Sequence, residues 1–84
     1  MIALATAYCL HGETASGTGT RPGVVAVDPR VIPLGSPLYV EGYGRAVAAD
    51  TGAAIRGNHI DVWFRDCGRA LAWGARRVTV RVGR

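Results

Sequence analysis

The apolar positions of this chain fall in short runs set apart by glycine, proline and small polar residues. "ALATAY" (3–8) reads as a first strand, and "VVAVDP" (24–29) as a buried strand stopped by Asp28-Pro29. Between them "CLHGETASGTGTRPG" (9–23) is rich in Gly, Thr and Ser and reads as a loop. "RVIPLGSP" (30–37) holds prolines and a glycine and is expected to turn without helix. "LYV" (38–40) and "RAVAAD" (45–50) flank "EGYG" (41–44), a hairpin whose glycines can take positive φ. "GNHIDVWF" (57–64) enters a further strand. "RRVTVRV" (76–82) alternates, with Val78, Val80 and Val82 predicted inward and Thr79 and Arg81 outward. Only "DCGRALAWG" (66–74) reads as helix, with Asp66 as N-cap, Gly74 as stop, and Cys67, Ala70 and Leu71 on one face. Several short strands and one helical turn predict a mainly β fold, a small barrel.

The same alternation sorts the acidic residues. Along 45–50, Val47 and Ala49 share one face, and Ala48 and Asp50 the other. Along 60–64, Ile60, Val62 and Phe64 are predicted inward, which puts Asp61 and Trp63 together on the opposite face. A carboxyl beside an indole is desolvated and holds its proton to higher pH, as a general acid requires. Trp63 offers a ring face for a sugar, or is a partly buried barrel residue. Asp50 and Asp61 close the two ends of a crossing marked by Gly52 and Gly57. Either the glycines fold the crossing back so that both carboxylates face one groove, or Asp50 caps the Thr51-Gly52 turn and Asp61 is merely exposed. Asp28, before a proline, has a ready structural role in bonding nearby amides. His59, two residues before Asp61, falls on the same face.

Composition narrows this picture. A chain of 84 residues is expected to form one domain with a thin core. The net charge of +4 comes from scattered arginines with one adjacent pair, Arg76-Arg77. No basic run marks a nucleic-acid partner; the diffuse charge suits a polyanion or simply keeps the chain soluble. Cys9 and Cys67 would form one disulfide in an exported domain and two buried thiols in a cytosolic one; the thin core favours the disulfide. The opening "MIALATAY" has no basic region and is too short for a signal core, so the export signal is expected to lie outside this chain, and membrane insertion is not indicated. No metal is called, since His11 and His59 show no convincing partners. No cofactor is called either, since "GTGTRPG" lacks the lysine of a phosphate loop.

"ATAY" (5–8), "GVVAVDPRVIPLG" (23–35), "LYVEGYGRAVAADTG" (38–52), "AIRGNHIDVWF" (54–64) and "RALAWGARRVTVRV" (69–82) together resemble the 3D domain. That family, named for three aspartates, includes the catalytic domain of membrane-bound lytic transglycosylase A and muralytic proteins of the stationary-phase survival and resuscitation type. The resemblance implies a small double-psi β-barrel with one short helix. It implies cleavage of the β-1,4 bond between N-acetylmuramic acid and N-acetylglucosamine in bacterial peptidoglycan, with a 1,6-anhydro end on the product. Carried over by motif, the catalytic acid falls on Asp61, its supporting aspartate on Asp50, and the third on Asp28, whose role is supporting or structural. Tyr8, Thr14, Thr18 and Trp63 are then expected to line the groove, and Arg56 to meet a stem-peptide or lactyl carboxylate. Two departures are Ala53, where the family often has a second glycine, and Arg56, where it commonly has lysine. The expected location is secreted or wall-associated. Pairing with a second copy, or a segment swap, is the expectation for completing a groove so short a chain only partly encloses. Two other readings share the residues: a wall-binding module that grips glycan without cutting, and a hydrolase using Asp61 and Asp50.

Overall fold

In the computed structural model, which describes residues 1–17 and 19–83, six strands close into a barrel. In chain order these are β1 (Ile2–Tyr8), β2 (Val24–Ala26), β3 (Pro37–Val40), β4 (Gly44–Asp50), β5 (His59–Trp63) and β6 (Arg76–Val82), with helix α1 (Cys67–Trp73) before the last strand. Around the barrel the order is β1-β5-β2-β4-β3-β6, and β6 returns to β1. Two pairings, β1·β5 and β2·β4, are parallel, and the others antiparallel. This is the mainly β, double-psi type of barrel with one short helix that the resemblance implied.

Closure removes every sheet edge and leaves one small interior to fill. Ala3, Ala5, Val25, Val27, Val40, Ala48, Ile60, Val62, Val78 and Val80 fill it, each almost wholly buried. Small and β-branched side chains suit both the pleat and the narrow lumen. Trp73 of α1 packs on the same core and donates its indole N–H to Ala5 O at 3.0 Å. Asp66 caps α1 by accepting from Gly68 N at 2.8 Å, and Gly74, at φ +67, ends it.

Two predicted placements are corrected, Leu71 on one face with Ala70 and Val82 inward. Leu71 is 82 % exposed, because Ala70 and Trp73 set the buried face of α1 and Leu71 lies about 100° round from Ala70. Val82 is 44 % exposed, since it lies at the end of β6, past the inward Val78 and Val80. The strand predicted over 24–29 also ends early. β2 stops at Ala26, and Asp28-Pro29 starts a run of turns in which Val31 and Ile32 both donate to Asp28 O at 2.9 Å.

The disulfide expected for an exported domain is present: Cys9 and Cys67 are bonded across a sequence separation of 58. In the loop-entropy account a closure of that length contributes about 4 kcal/mol. It ties the end of β1 to the start of α1 and holds down the loop over 9–23. That loop bends back on itself through an isolated bridge between Glu13 and Gly19, and Thr20 N donates to Gly12 O at 2.8 Å.

Candidate active site

Parallel pairing of β1 with β5 puts Thr6 beside Asp61, and Tyr8 beside Trp63. Ala3 and Ala5 of β1 point inward, and so do Ile60 and Val62 of β5. The alternate positions Thr6, Tyr8, His59, Asp61 and Trp63 therefore share the outer face. Asp50 joins them from the end of β4, where the pairing with β2 slips between Val25 and Ala26. Strict alternation had put Asp50 on the inward side of Ala48; at the slip it meets Tyr8 instead, and the Tyr8 hydroxyl donates to Asp50 Oδ2 at 3.2 Å.

Asp61 is half-buried and accepts a hydrogen bond from Thr6 Oγ1 at 2.9 Å. Desolvation by burial pushes its carboxyl above the ordinary range, and the field of Asp50 pushes the same way; the Thr6 hydroxyl and His59 oppose them. Burial, then the charge and hydrogen bond of Asp50, raise the Tyr8 phenol as well, with a smaller contribution from Asp61. The expected desolvation of Asp61 is thus present, in a strip of half-buried polar side chains.

Asp50 accepts from Thr51 N at 2.9 Å and Ala15 N at 3.0 Å through Oδ1, in addition to Tyr8. Both sequence readings of this residue describe part of its surroundings: it closes its own turn, and it belongs to the outer polar strip. The amide of Ala15 comes from the stapled loop, which also donates from Ser16 N to Ala49 O at 3.2 Å. The loop is thereby fastened beside Asp50.

Two groove expectations change. Trp63 is only 1 % exposed and so offers no ring face to a sugar. The loop folds over it: its indole N–H donates to Leu10 O at 2.7 Å, and it packs with Val24 and Ala49, Tyr8 lying against that cluster. Thr14 is 5 % exposed and its hydroxyl bonds Ser16 Oγ at 3.0 Å, so it lies inside its own loop and does not line a groove. Thr18 lies outside the described residues. Gly52 acts by space and not by positive φ: a Cβ there would stand 3.1 Å from Ile55 Cγ1. Gly57 does take the left-handed region, at φ +64.

Asp28 belongs to a different corner. It is 4 % exposed and accepts from Arg30 N and Nε through Oδ1 and from Arg30 Nη2 and Gly57 N through Oδ2, all between 2.9 and 3.1 Å. The Arg30 side chain first, then the two amides, hold its carboxyl well below the usual range. Arg56 is exposed on the crossing loop, where its Nε donates to Ala53 O at 3.0 Å, and it shares a shallow depression with Asp28, Arg30 and Thr51.

Sequence reasoning missed one member of the strip and the partners of another. Thr6 was passed over inside "ATAY", although a hydroxyl alternating with Tyr8 in an apolar strand was a visible signal. His59 was read as lacking partners, whereas its Nε2 lies 2.9 Å from Thr6 Oγ1 and its Nδ1 3.2 Å from Ala54 O. Among the described residues no three His, Cys, Asp or Glu side chains gather as a metal site.

A closed barrel with a desolvated carboxyl and a second aspartate on one outer face defines a compact class of β-domain. The 3D domain family matches residues 23–83, and the chain belongs to that family. It is 51 % identical over 87 residues to the cell wall-binding protein YocH of Bacillus subtilis, covering 93 % of this chain and 30 % of YocH. It is 49 % identical over 83 residues to the putative cell wall shaping protein YabE of the same organism, covering 92 % of this chain and 20 % of YabE. The chain thus spans less than a third of either relative. Among solved structures it resembles the lytic transglycosylase MltA of Escherichia coli, with a TM-score of 0.70 and 27 % identity over 84 % of this chain and 27 % of MltA. MltA has also been solved with bound chitohexaose, a form that matches this chain at TM-score 0.62 and 22 % identity, covering 87 % of this chain and 28 % of that one.

Proposed function

We propose that this domain acts on peptidoglycan as a lytic transglycosylase, with Asp61 as general acid and then general base. The observation that carries the reading is the state of Asp61: half-buried, desolvated beside Asp50, and open to one hydroxyl in place of an ion pair. Such a carboxyl keeps its proton where an ordinary aspartate has lost it.

The reaction needs one such group. Asp61 gives its proton to the glycosidic oxygen as the C1–O bond to N-acetylglucosamine breaks. Positive charge develops on the muramic acid ring, and Asp50 stabilises it at short range. The C6 hydroxyl of the same sugar then attacks C1, and its proton passes to the Asp61 carboxylate. The 1,6-anhydro bridge is closed, Asp61 is again protonated, and no water is consumed. Glycosidases that activate water or form a glycosyl-enzyme need two carboxylates at a fixed separation; here the substrate supplies its own nucleophile. The cell-wall names of YocH and YabE and the fold of MltA support the substrate class. The same relatives support an exported or wall-associated location, which fits the disulfide.

The name of YocH favours a second reading, a module that binds the wall without cutting it. Mass spectrometry of fragments released from purified peptidoglycan separates the two. Transglycosylation yields muropeptides lighter by one water than the reducing products of hydrolysis, and Asp61→Asn abolishes them. Release of nothing, by a protein that still sediments with the wall, overturns the catalytic reading in favour of binding.

A further inference from the structure

Thr6 Oγ1 lies 2.9 Å from both Asp61 Oδ1 and His59 Nε2, and His59 Nδ1 lies 3.2 Å from Ala54 O. A hydroxyl carries one proton, and a carbonyl oxygen only accepts. Nδ1 must therefore hold a proton to bond Ala54. If His59 is neutral, Nε2 is an acceptor and takes the Thr6 proton, so Asp61 must itself be protonated and donate to Thr6 Oγ1. If His59 is the imidazolium, Nε2 donates to Thr6, and Thr6 donates to the Asp61 carboxylate. Both arrangements satisfy the three contacts, Asp61 to Thr6, Thr6 to His59 and His59 to Ala54, and both hold three protons on the three side chains. They interconvert by two short hops through one hydroxyl.

From this geometry we infer that His59 is a positioning residue for Asp61, holding through Thr6 the proton that Asp61 delivers. This rests on the catalytic reading of Asp61 given above. The hydroxyl fixes the carboxyl along β1, and in the second arrangement the imidazole holds the proton that Asp61 has given up. The other groups that bear on the pair are Asp50 from β4 and Tyr8 from β1. β2 sets only the uncharged Ala26 opposite Asp61. Asp50 and Tyr8 bond each other, and besides Asp61 and His59 the Thr6 hydroxyl reaches Ile60 O at the longer distance of 3.3 Å.

Two measurements test the inference, one of them independent of turnover. Nitrogen NMR of the His59 ring across pH, in the oxidised intact chain, should show the neutral form protonated at Nδ1. The imidazolium should persist to higher pH in the parent than in Asp61→Asn or Thr6→Val, and Thr6→Ser should restore the parent behaviour. The second measurement is the pH profile of muropeptide release by His59→Gln, a side chain that bonds but does not titrate. Its acid-side rate should stay within about threefold of the parent, while its alkaline limb moves to higher pH, because the imidazolium whose charge lowers the Asp61 carboxyl is gone. Identical His59 titration in all four proteins overturns the inference. So does a His59→Gln profile lowered uniformly without displacement. If the NMR coupling is present but no protein releases fragments, the proton link stands and the transglycosylase reading fails.

Discussion

Among the described residues, four N–H donors, three of them from Arg30, surround the Asp28 carboxylate, while on the outer strip a single hydroxyl serves Asp61. The two side chains are chemically identical and titrate in opposite directions, Asp28 downward and Asp61 upward. Burial does not separate them, since Asp28 is the less exposed. The donors do: charge-assisted hydrogen bonds hold a carboxylate ionised, while desolvation with few donors favours the acid. An aspartate locked as an anion is suited to organising a turn, and one that keeps its proton is suited to giving it away.

The largest effect should come from exchanging each aspartate for its neutral isostere. Asp61→Asn should lower muropeptide release by about 10²–10⁴-fold, the span of a positioned general acid, and leave the fold intact. Asp28→Asn should do the reverse. Its NH2 group replaces either the oxygen that accepts from Arg30 N or the one that accepts from Gly57 N, so melting should occur several degrees lower. Activity measured well below that melting point should stay within a few-fold of the parent. Loss of turnover in Asp28→Asn without loss of stability would erase the distinction between the two sites.

Next in size is the staple that holds the loop beside the strip. Cys9→Ser with Cys67→Ser removes a closure of about 4 kcal/mol, a large fraction of the stability of so small a domain. The loop supplies the Ala15 amide to Asp50 and the Leu10 carbonyl to Trp63. Below its lowered melting point, the serine variant should exchange its Ala15 amide hydrogen faster than the parent. The Gly57 amide, bonded at the Asp28 corner, should be affected only through global stability.

What the sequence made legible follows from where each element's partners lie. Strands, hairpin and helix cap depend on residues within a few positions, and β1, the 41–44 turn and the Asp66 cap fall close to where pattern placed them. The strip depends on partners far along the chain. Thr6 and Asp61 meet only because β1 and β5 pair in parallel, and Asp50 reaches Tyr8 only through the slip beside β2. Trp63 shows the limit of alternation. The pattern put it correctly on the outer face, yet the stapled loop then buried that face, which period-two reasoning within one strand does not foresee. His59 acquires its partners from β1 and from the crossing loop, so its neighbours in sequence offered no sign of them.

A smaller effect, in stability alone, tests the opposite titration directly. Asp28 ionises below its unfolded value of about 3.9, so its contribution is present above that pH and is lost as pH falls through the folded value. Asp61 ionises above its unfolded value, so its contribution is full at low pH and is lost as pH rises through the folded value. The melting difference between Asp28→Asn and the parent should therefore grow more negative from about pH 3 to about pH 7, while that of Asp61→Asn moves in the stabilising direction. Calorimetry at the two pH values checks both signs. Parallel shifts in the two variants would mean that the carboxylates share one environment.

The finest test lies on the crossing that joins the two regions. Gly57 sits in the left-handed region at φ +64, and its amide is one of the donors to Asp28. Gly57→Ala meets no atom within 4 Å of the added Cβ, so its penalty is conformational and not steric. A left-handed alanine costs about 1–2 kcal/mol, which the chain either bears or relieves by rotating the amide away from Asp28. In both cases the damage belongs to the Asp28 corner. Asp61 lies four residues on, fixed by β5 pairing with β1 on one side and β2 on the other. The variant should melt several degrees lower and release fragments at a rate within about twofold of the parent, the geometry at Asp61 being unchanged. A rate that fell with stability would show that the crossing transmits strain from the anchored aspartate to the reactive one, and that the two corners work as one device.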